Sequence, residues 1–399
     1  MRFKMLYAAL AAMPVVMFAF STGPPPMRTG AAVDGGINCT ACHGRDASFV
    51  NVDPRGSEAI TFDSPSYAPG AAQTVHVRVF HPEQVRWGFQ ITARTAGDLT
   101  RTAGVFTPTA DIRVVCANGR EAPCDGALEF ATHRLAPRTG VGAGFTFDVQ
   151  WTPPAGISGD IVFYAAGNAA DGNGAPGAAD RIYTTTAKLS APCTVTARPT
   201  LREVTDAASF RTSWAPNSLV TLFGTGFAAS GSTRAAQEFD VAAAAGLFPK
   251  ELGCVAVEFG GGRVPVTYVS ANQINAQAPT TGQAGGTMSI AVILNPGRAN
   301  EVRSETQVNA GLRVLAPSLF TFDGASAAAQ IGGTSTPAAD PSVAAGGRPA
   351  RPGELVTFYA TGLGYTNPSG RPARFPRGLR LCRARPPYPS AALRWAPPM

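Results

Sequence analysis

From about residue 60 to residue 190, apolar and polar side chains alternate along short stretches of the chain. In one of them, Val75, Val77 and Val79 are separated by the polar residues His76 and Arg78. Because successive side chains of a β-strand point to opposite faces, this alternation predicts a strand with one buried face. Further strands are predicted at WGFQI (87–91), FTFDVQW (145–151), IVFYAA (161–166) and RIYTTTAKL (181–189). Short strands joined by Gly, Pro, Asn and Asp turns indicate an antiparallel β-sandwich.

A second β pattern begins near residue 204 and includes an internal repeat. Its predicted strands are SLVTLFG (218–224), CVAVEF (254–259), VPVTYV (264–269), INAQAP (274–279) and MSIAVIL (288–294). Residues 216–227 recur at 352–363, and Gly226 and Gly362 occupy the same position in the two copies. The second copy stops near Gly370. The sequence therefore predicts an all-β protein with two antiparallel sandwiches in tandem and an incomplete third unit.

The N-terminus has the features of a secretory signal. Arg2 and Lys4 precede an apolar run over residues 5–20, and a small-residue cleavage site follows. The alternative is an uncleaved anchor, but sixteen residues with Pro14 in the middle are short for a bilayer span. We therefore expect residues 1–21 to be removed and the protein to be periplasmic, cell-surface or extracellular, with no transmembrane span after cleavage.

The composition shifts along the rest of the chain give the domain prediction. After the signal we expect a Gly/Pro-rich arm (22–60), a sandwich (61–190), a linker (191–203), a second sandwich (204–315), the incomplete unit (316–370) and an Arg/Pro-rich tail (371–399). The formal net charge is +7, and the tail alone holds seven Arg and no acidic residue. The folded part is therefore neutral overall, and nothing in it indicates nucleic-acid binding.

The tail has two interpretations. One is a disordered basic extension, and the other is a shifted reading frame. We favour the second, because three Lys against 30 Arg indicate GC-rich coding, and GC-rich DNA read out of frame is rich in Arg and Pro.

Seven cysteines in an exported chain are expected to be paired or occupied. Cys116 and Cys124 enclose the polar turn ANGREAP, which favours a local disulfide. Cys193 and Cys254 then pair by elimination. Four cysteines allow three pairings, so this choice is a hypothesis.

The segment Cys39-Thr40-Ala41-Cys42-His43 is a CxxCH motif, which is typical of c-type haem attachment. The two thiols would bond the porphyrin, and His43 would be the proximal iron ligand. The sequence does not identify the distal iron ligand. It could be Met27, His76, His81 or His133, or the iron could have no distal protein ligand. The alternatives are a structural Cys39–Cys42 disulfide and a metal site, although zinc would need two more ligands nearby. The sequence thus predicts a haem protein in electron transfer or redox sensing, or alternatively a non-redox adhesion or matrix protein.

Other candidate sites are weaker. Residues 168–180 hold Asn168, Asp171, Asn173 and Asp180, whose oxygens could bind Ca²⁺, but these residue types also favour a long turn, which we prefer. We interpret His76 and His133 as surface imidazoles and Trp87 and Trp151 as core aromatics. No nucleophile–base pair is recognisable, so we expect no enzymatic activity.

Two blocks of the chain resemble known families. WGFQITA (87–93), FYAAGNAADGNG (163–174), DRIYTT (180–185) and the early NCTACHG (38–44) resemble the reelin-like sandwich of bacterial exported proteins called choice-of-anchor V. This resemblance implies an extracellular sandwich and no catalytic residues. PNSLVTLFGTGFA (216–228), PVTYVSANQINAQAP (265–279) and APSLFTFDG (316–324) look like the immunoglobulin-like IPT/TIG-type C-terminal domain of large acidobacterial-type secreted proteins. That resemblance implies attachment or presentation at the cell surface.

Overall fold

The computed structural model describes residues 22–43, 47–156, 159–241, 247–280 and 285–364. The predicted signal (1–21) and tail (371–399) lie outside the described residues. The chain divides into two compact units, Met1–Pro192 and Cys193–Met399, which are described separately below.

Unit 1 contains two antiparallel sheets. One sheet has the order β1-β2-β8-β5, and the other has the order β10-β9-β3-β7-β6, with β4 paired to β3. The strands are β1 (Ser57–Phe62), β2 (Gln73–Phe80), β3 (Arg86–Thr95), β4 (Asp98–Thr102), β5 (Val105–Phe106), β6 (Ile112–Cys116), β7 (Glu129–His133), β8 (Phe145–Thr152), β9 (Ile161–Ala170) and β10 (Arg181–Leu189).

The core of unit 1 follows from the alternation in the sequence. Val77 on β2 lies opposite Phe147 on β8, and both side chains are buried. From the other sheet, Phe89 stacks on Phe147 with ring centroids 4.2 Å apart. Trp87 and Trp151 are fully buried, so their interpretation as core aromatics is correct. The apolar faces of two sheets meet here, as expected for a sandwich.

Unit 2 begins with two five-stranded antiparallel sheets. Their orders are β11-β12-β17-β16-β13 and β15-β14-β18-β19, with β20 paired to β18. Trp214 is fully buried and packs edge-on against Phe259 at 5.4 Å. The strands are β11 (Thr200–Asp206), β12 (Leu219–Thr225), β13 (Thr233–Ala235), β14 (Val255–Phe259), β15 (Gly262–Val264), β16 (Val266–Ser270), β17 (Gln273–Gln277), β18 (Gly285–Leu294), β19 (Val302–Arg303) and β20 (Gln307–Arg313).

The described residues in the rest of unit 2 form two small sheets. They pair β21 (Ser318–Leu319) with β24 (Ala360–Thr361) and β22 (Ala329–Ile331) with β23 (Val356–Phe358). In the first copy of the repeat Leu222 and Phe227 are fully buried, whereas their equivalents Phe358 and Leu363 are 56% and 48% exposed. Within the part of the chain that the structure describes, the second copy therefore lacks the apolar cover that the first copy has.

Helices are few and short in the described part of the chain. They are 3-10 turns at Ala32–Asp34, Cys39–Ala41, Ala47–Phe49 and Glu238–Asp240. None of the described helices is long and apolar enough to cross a membrane. The prediction of an all-β protein built from antiparallel sandwiches is confirmed.

Candidate functional site

The N-terminal arm is packed onto β3 rather than extended away from unit 1. The backbone N–H of Arg28 donates to the side-chain oxygen of Gln90 at 2.6 Å, and the amide of Gln90 donates to the carbonyl of Pro25 at 2.9 Å. Arg94 on the same strand forms a 2.6 Å ion pair with Asp34. Because the arm covers this face, polar side chains that alternation would place in solvent are buried.

The CxxCH motif forms a capped turn at the end of this arm. The side chain of Asn38 accepts a hydrogen bond from the N–H of Thr40 at 2.9 Å. The carbonyl of Cys39 then accepts from the N–H groups of Cys42 and His43, at 3.2 and 2.8 Å. Asn is a favoured capping residue, so the local sequence itself stabilises this 3-10 turn.

The two thiols of the motif have different surroundings, and they are not bonded to each other. Cys39 is buried beside Ala166 and Ile182, and its Sγ lies 3.8 Å from the carbonyl oxygen of Ala166. Burial, and secondarily the nearby Glu58, raise the pKa of the Cys39 thiol to about 12. Cys42 is only half-buried. Cys39 is therefore protonated at neutral pH, and Cys42 is the accessible thiol.

His43 is held by residues far away in the sequence. Its Nδ1 lies 2.7 Å from Oδ2 of Asp180, whose side chain is nearly inaccessible to solvent. The side-chain amide of Asn168 lies 3.1 Å from the same nitrogen. A carboxylate can only accept, so Nδ1 carries the proton and donates it. In the neutral form of the ring, the lone pair is then on Nε2.

A cavity of about 180 Å³ lies beside the motif. Cys42, His43 and Asn168 supply polar groups to its wall, and Trp87 and Phe89 supply aromatic surface. Asn168 is nine-tenths buried, and its Oδ1 has no hydrogen-bond partner among the described residues. A pocket with an apolar wall and a few convergent polar groups is the usual form of a small-ligand site.

The predicted distal ligands are placed differently from one another. His133 also lines the cavity, and it is buried on β7, where its Nδ1 accepts from the N–H of Phe89 at 3.1 Å. The prediction that His133 is a surface imidazole is therefore wrong, because β7 is covered on both faces. His81 contacts Asp53 at 3.0 Å. Met27 does not line the cavity among the residues described.

His76, the remaining candidate, lies on the surface of the first sheet of unit 1. It is bracketed by Asp148 at 2.7 Å and Asp63 at 3.0 Å. These two carboxylates raise the pKa of His76. It is a surface imidazole, as the sequence indicated.

The four candidate calcium residues do not converge on one point. Asp180 and Asn168 contact His43, whereas Asp171 accepts from the backbone and side-chain N–H groups of Asn173 at 3.0 and 2.9 Å. This is the local hydrogen bonding expected of a turn. Within the ranges that the structure describes, no group of three or more His, Cys, Asp or Glu residues could hold a metal ion.

Two disulfides are present, one in each unit. Cys116 is bonded to Cys124, and Cys193 is bonded to Cys254. This is the pairing that the sequence favoured among three. Cys382 lies outside the described residues.

No family model matches the chain, and no curated protein matches it. Solved structures give matches to parts of it. The human F-spondin reeler domain is 18% identical over 35% of this chain and 89% of its own, with a TM-score of 0.25. A cohesin module from a Clostridium perfringens family 33 glycoside hydrolase is 13% identical over 34% of this chain and 96% of the module, with a TM-score of 0.23. A chain from the structure of the Salmonella enterica SafA pilin in complex with the SafB chaperone is 11% identical over 63% of this chain and 96% of its own length, with a TM-score of 0.27.

Proposed function

We propose that this protein is an exported β-sandwich protein that acts without redox chemistry as an adhesion or matrix module at the cell surface. The observation that carries this proposal is the pair of disulfides, one in each unit. Disulfides persist in oxidising compartments and are rare in the cytosol. The resemblance of the two sequence blocks to choice-of-anchor V and IPT/TIG-type proteins supports the same role. In this proposal the CxxC segment is structural and binds no haem: the buried Cys39 packs against Ala166 and Ile182 and so holds the arm on the sheet.

This proposal is tested in cells that also contain the haem-attachment machinery. The full chain is expressed with its N-terminus intact, and intact cells are treated with a membrane-impermeant biotinylation reagent. We expect the mature protein to be labelled and to have the mass of the polypeptide without haem. The cytosolic marker, which must stay unlabelled, shows that the cells are intact. In such cells, failure to label this protein would contradict placement at the cell surface. A purified protein without a Soret band distinguishes this role from the haem-binding function proposed next.

A second candidate function has its own observation, the 2.7 Å contact between His43 Nδ1 and Asp180. It is covalent haem c attachment in an electron-transfer or redox-sensing protein. The residue types and spacing fit this group: two thiols separated by two residues and the adjacent His43 all line the cavity. The Cys39 thiol is buried against Ala166 and Ile182 in the folded chain, so it would have to be attached before the arm docks on the sheet. Cys39 and Cys42 would bond the porphyrin, and His43 would be the proximal ligand. The bound group would supply one-electron chemistry.

The second candidate is tested by a pyridine haemochrome assay and intact mass on the same material. We expect a Soret band and a mass increase of one haem, both lost in Cys39→Ala plus Cys42→Ala. Protein with the bare polypeptide mass would contradict haem attachment and leave the non-redox role.

A further inference from the structure

We propose that Asp180 is a positioning residue for His43, which fixes the imidazole with its proton on Nδ1 and directs the Nε2 lone pair to the iron of an attached haem. This inference rests on the second candidate function above. It assigns a role to a residue that lies 137 positions from the motif along the chain.

Hydrogen bonds within its own turn hold Asp180 in place independently of His43. It directly precedes β10, and its backbone N–H donates to the carbonyl of Gly177 at 3.2 Å. The N–H of Gly177 in turn approaches Oδ2 of Asp180 at 3.3 Å. The neighbouring Arg181 donates to the carbonyls of Ala178 and Ala179. The carboxylate is therefore held by the turn itself and does not depend on His43 for its position.

The contact between His43 and Asp180 has the geometry of a metal-ligating histidine that donates its other ring N–H to a carboxylate. Such partners fix the tautomer and ring orientation of the histidine and make it a stronger donor. Asp180 is nearly inaccessible to solvent, so water screens the interaction with His43 little. A stronger donor stabilises the ferric state relative to the ferrous state. Asp180 is thus expected to lower the reduction potential of the haem.

Asn168, on the strand that pairs with β10, lies beside the same histidine. Its side-chain amide nitrogen is 3.1 Å from Nδ1 of His43, but an N–H donor makes no hydrogen bond to a nitrogen that carries its own proton, so the Nδ1 proton is directed to Asp180. Residue 168 lies in the segment FYAAGNAADGNG and residue 180 in DRIYTT, and the structure brings both residues to the histidine of the CxxCH motif.

The first arm of the test uses haem-free, ¹⁵N-labelled full chain from a host without attachment machinery. Imidazole ¹⁵N shifts report which nitrogen of His43 carries the proton. We expect the Nδ1–H tautomer in the wild type and in the control Asp171→Asn, which alters a cavity-wall carboxylate that bonds Asn173 instead. In Asp180→Asn we expect a shift towards Nε2–H, since an amide can donate to Nδ1. An unchanged tautomer in Asp180→Asn would overturn the inference.

The second arm uses haem-loaded protein and a potentiometric titration. Replacing a partner of this kind typically changes metal affinity at least tenfold. We expect Asp180→Asn to favour reduction by about tenfold, which is 59 mV for a one-electron couple. Asp180→Glu, which keeps a carboxylate, should stay near the wild type, as should Asp171→Asn. Equal potentials in wild type and Asp180→Asn would contradict the role of Asp180 while haem attachment stands.

A wild type that acquires no haem overturns the second candidate function and this inference with it, whatever the tautomer result. If Asp180→Asn alone fails to load haem, its near-ultraviolet circular dichroism is compared with that of Asp180→Glu. A folded Asp180→Asn that cannot load haem contradicts the inference, because the burial of Cys39 in the folded chain requires attachment before His43 docks on Asp180. Loading that is lost equally in Asp171→Asn would indicate general damage to the cavity and would contradict the inference.

Discussion

Cys39 and Cys42 both line the cavity, yet Cys39 is buried and Cys42 is half-buried. Alkylation requires an accessible thiolate, and burial keeps Cys39 protonated. In the reduced, haem-free protein we therefore expect N-ethylmaleimide to modify Cys42 roughly tenfold faster than Cys39, or more. Time-resolved peptide mass spectrometry measures both rates. Cys42→Ser serves as the control for slow labelling of Cys39, and equal rates would contradict the burial of Cys39.

Glu58 on β1 is a second buried titratable group. Burial raises the pKa of its carboxyl well above the ordinary value of 4.5, and neither carboxyl oxygen has a hydrogen-bond partner among the described residues. The native state then holds a proton that the unfolded chain releases. The free energy of unfolding should therefore fall as the pH rises above 4.5, by up to about 1.4 kcal/mol per pH unit, until the native carboxyl ionises.

Denaturant unfolding at a series of pH values checks this, with Glu58→Gln as the matched variant. The variant should lose this part of the pH dependence, since it has no titrating group at position 58. A pH profile that is the same in both proteins would show that Glu58 ionises normally.

The residues of the CxxCH motif are predictable from the sequence, because they are adjacent in it. The distant residues that contact them in the fold are not. Cys39, Cys42 and His43 are recognisable because the spacing itself carries the chemistry. Local composition predicts Asp180 only as one of several loop oxygens, because it does not show which strand end meets the arm. The sequence places His133 on the surface for a similar reason: the burial of this residue depends on neighbours of β7 that no local pattern reveals.

At the scale of elements, the repeat predicts equal roles for Gly226 and Gly362, and both have φ of +74°. Their surroundings differ. A Cβ on Gly226 would make only an ordinary contact with Pro199, whereas one on Gly362 would overlap the carbonyl oxygen of Ala316. We expect Gly226→Ala to cost about 1–2 kcal/mol from backbone strain alone. Gly362→Ala should in addition displace the backbone around it.

Hydrogen exchange separates these two effects. The N–H of Ala316 donates to the carbonyl of Gly362 at 2.9 Å, so its protection reports the local backbone. Gly362→Ala should remove this protection, and Gly226→Ala should leave it in place. Loss in both variants, or in neither, would contradict the different packing of the two glycines.

The strands of the sandwiches were predictable where one face is apolar and the other is in solvent. The docking of the N-terminal arm on β3 was not predictable. The Gly and Pro residues of the arm give it no hydrophobic periodicity, and the arm is held by polar contacts. Gln90 and Arg94 on β3 look like solvent-facing positions in the sequence, but they are buried under the arm. Alternation identifies the face that meets the core; it does not identify a polar face that another segment covers.

At the scale of the whole molecule, the two disulfides close loops of very different length, with sequence separations of 61 and 8. The loss of unfolded-state entropy grows with the length of the closed loop. Replacing Cys193 and Cys254 by Ala should cost about 4 kcal/mol, and replacing Cys116 and Cys124 by Ala about 2.5 kcal/mol. Calorimetry of each variant, with the other bridge intact, measures both. A larger loss from the short bridge would contradict this entropic account.

The contact between His43 and Asp180 also sets an order of events during synthesis. The chain emerges from its N-terminus, so the CxxCH motif appears long before β9 and β10, which provide its partners. Until Asp180 has emerged, 137 residues after His43, the arm has no Asp180 carboxylate to dock against. Both thiols are exposed throughout that interval, including the one that the finished fold buries. Any enzyme that modifies Cys39 therefore has to act before the sandwich has folded around this thiol.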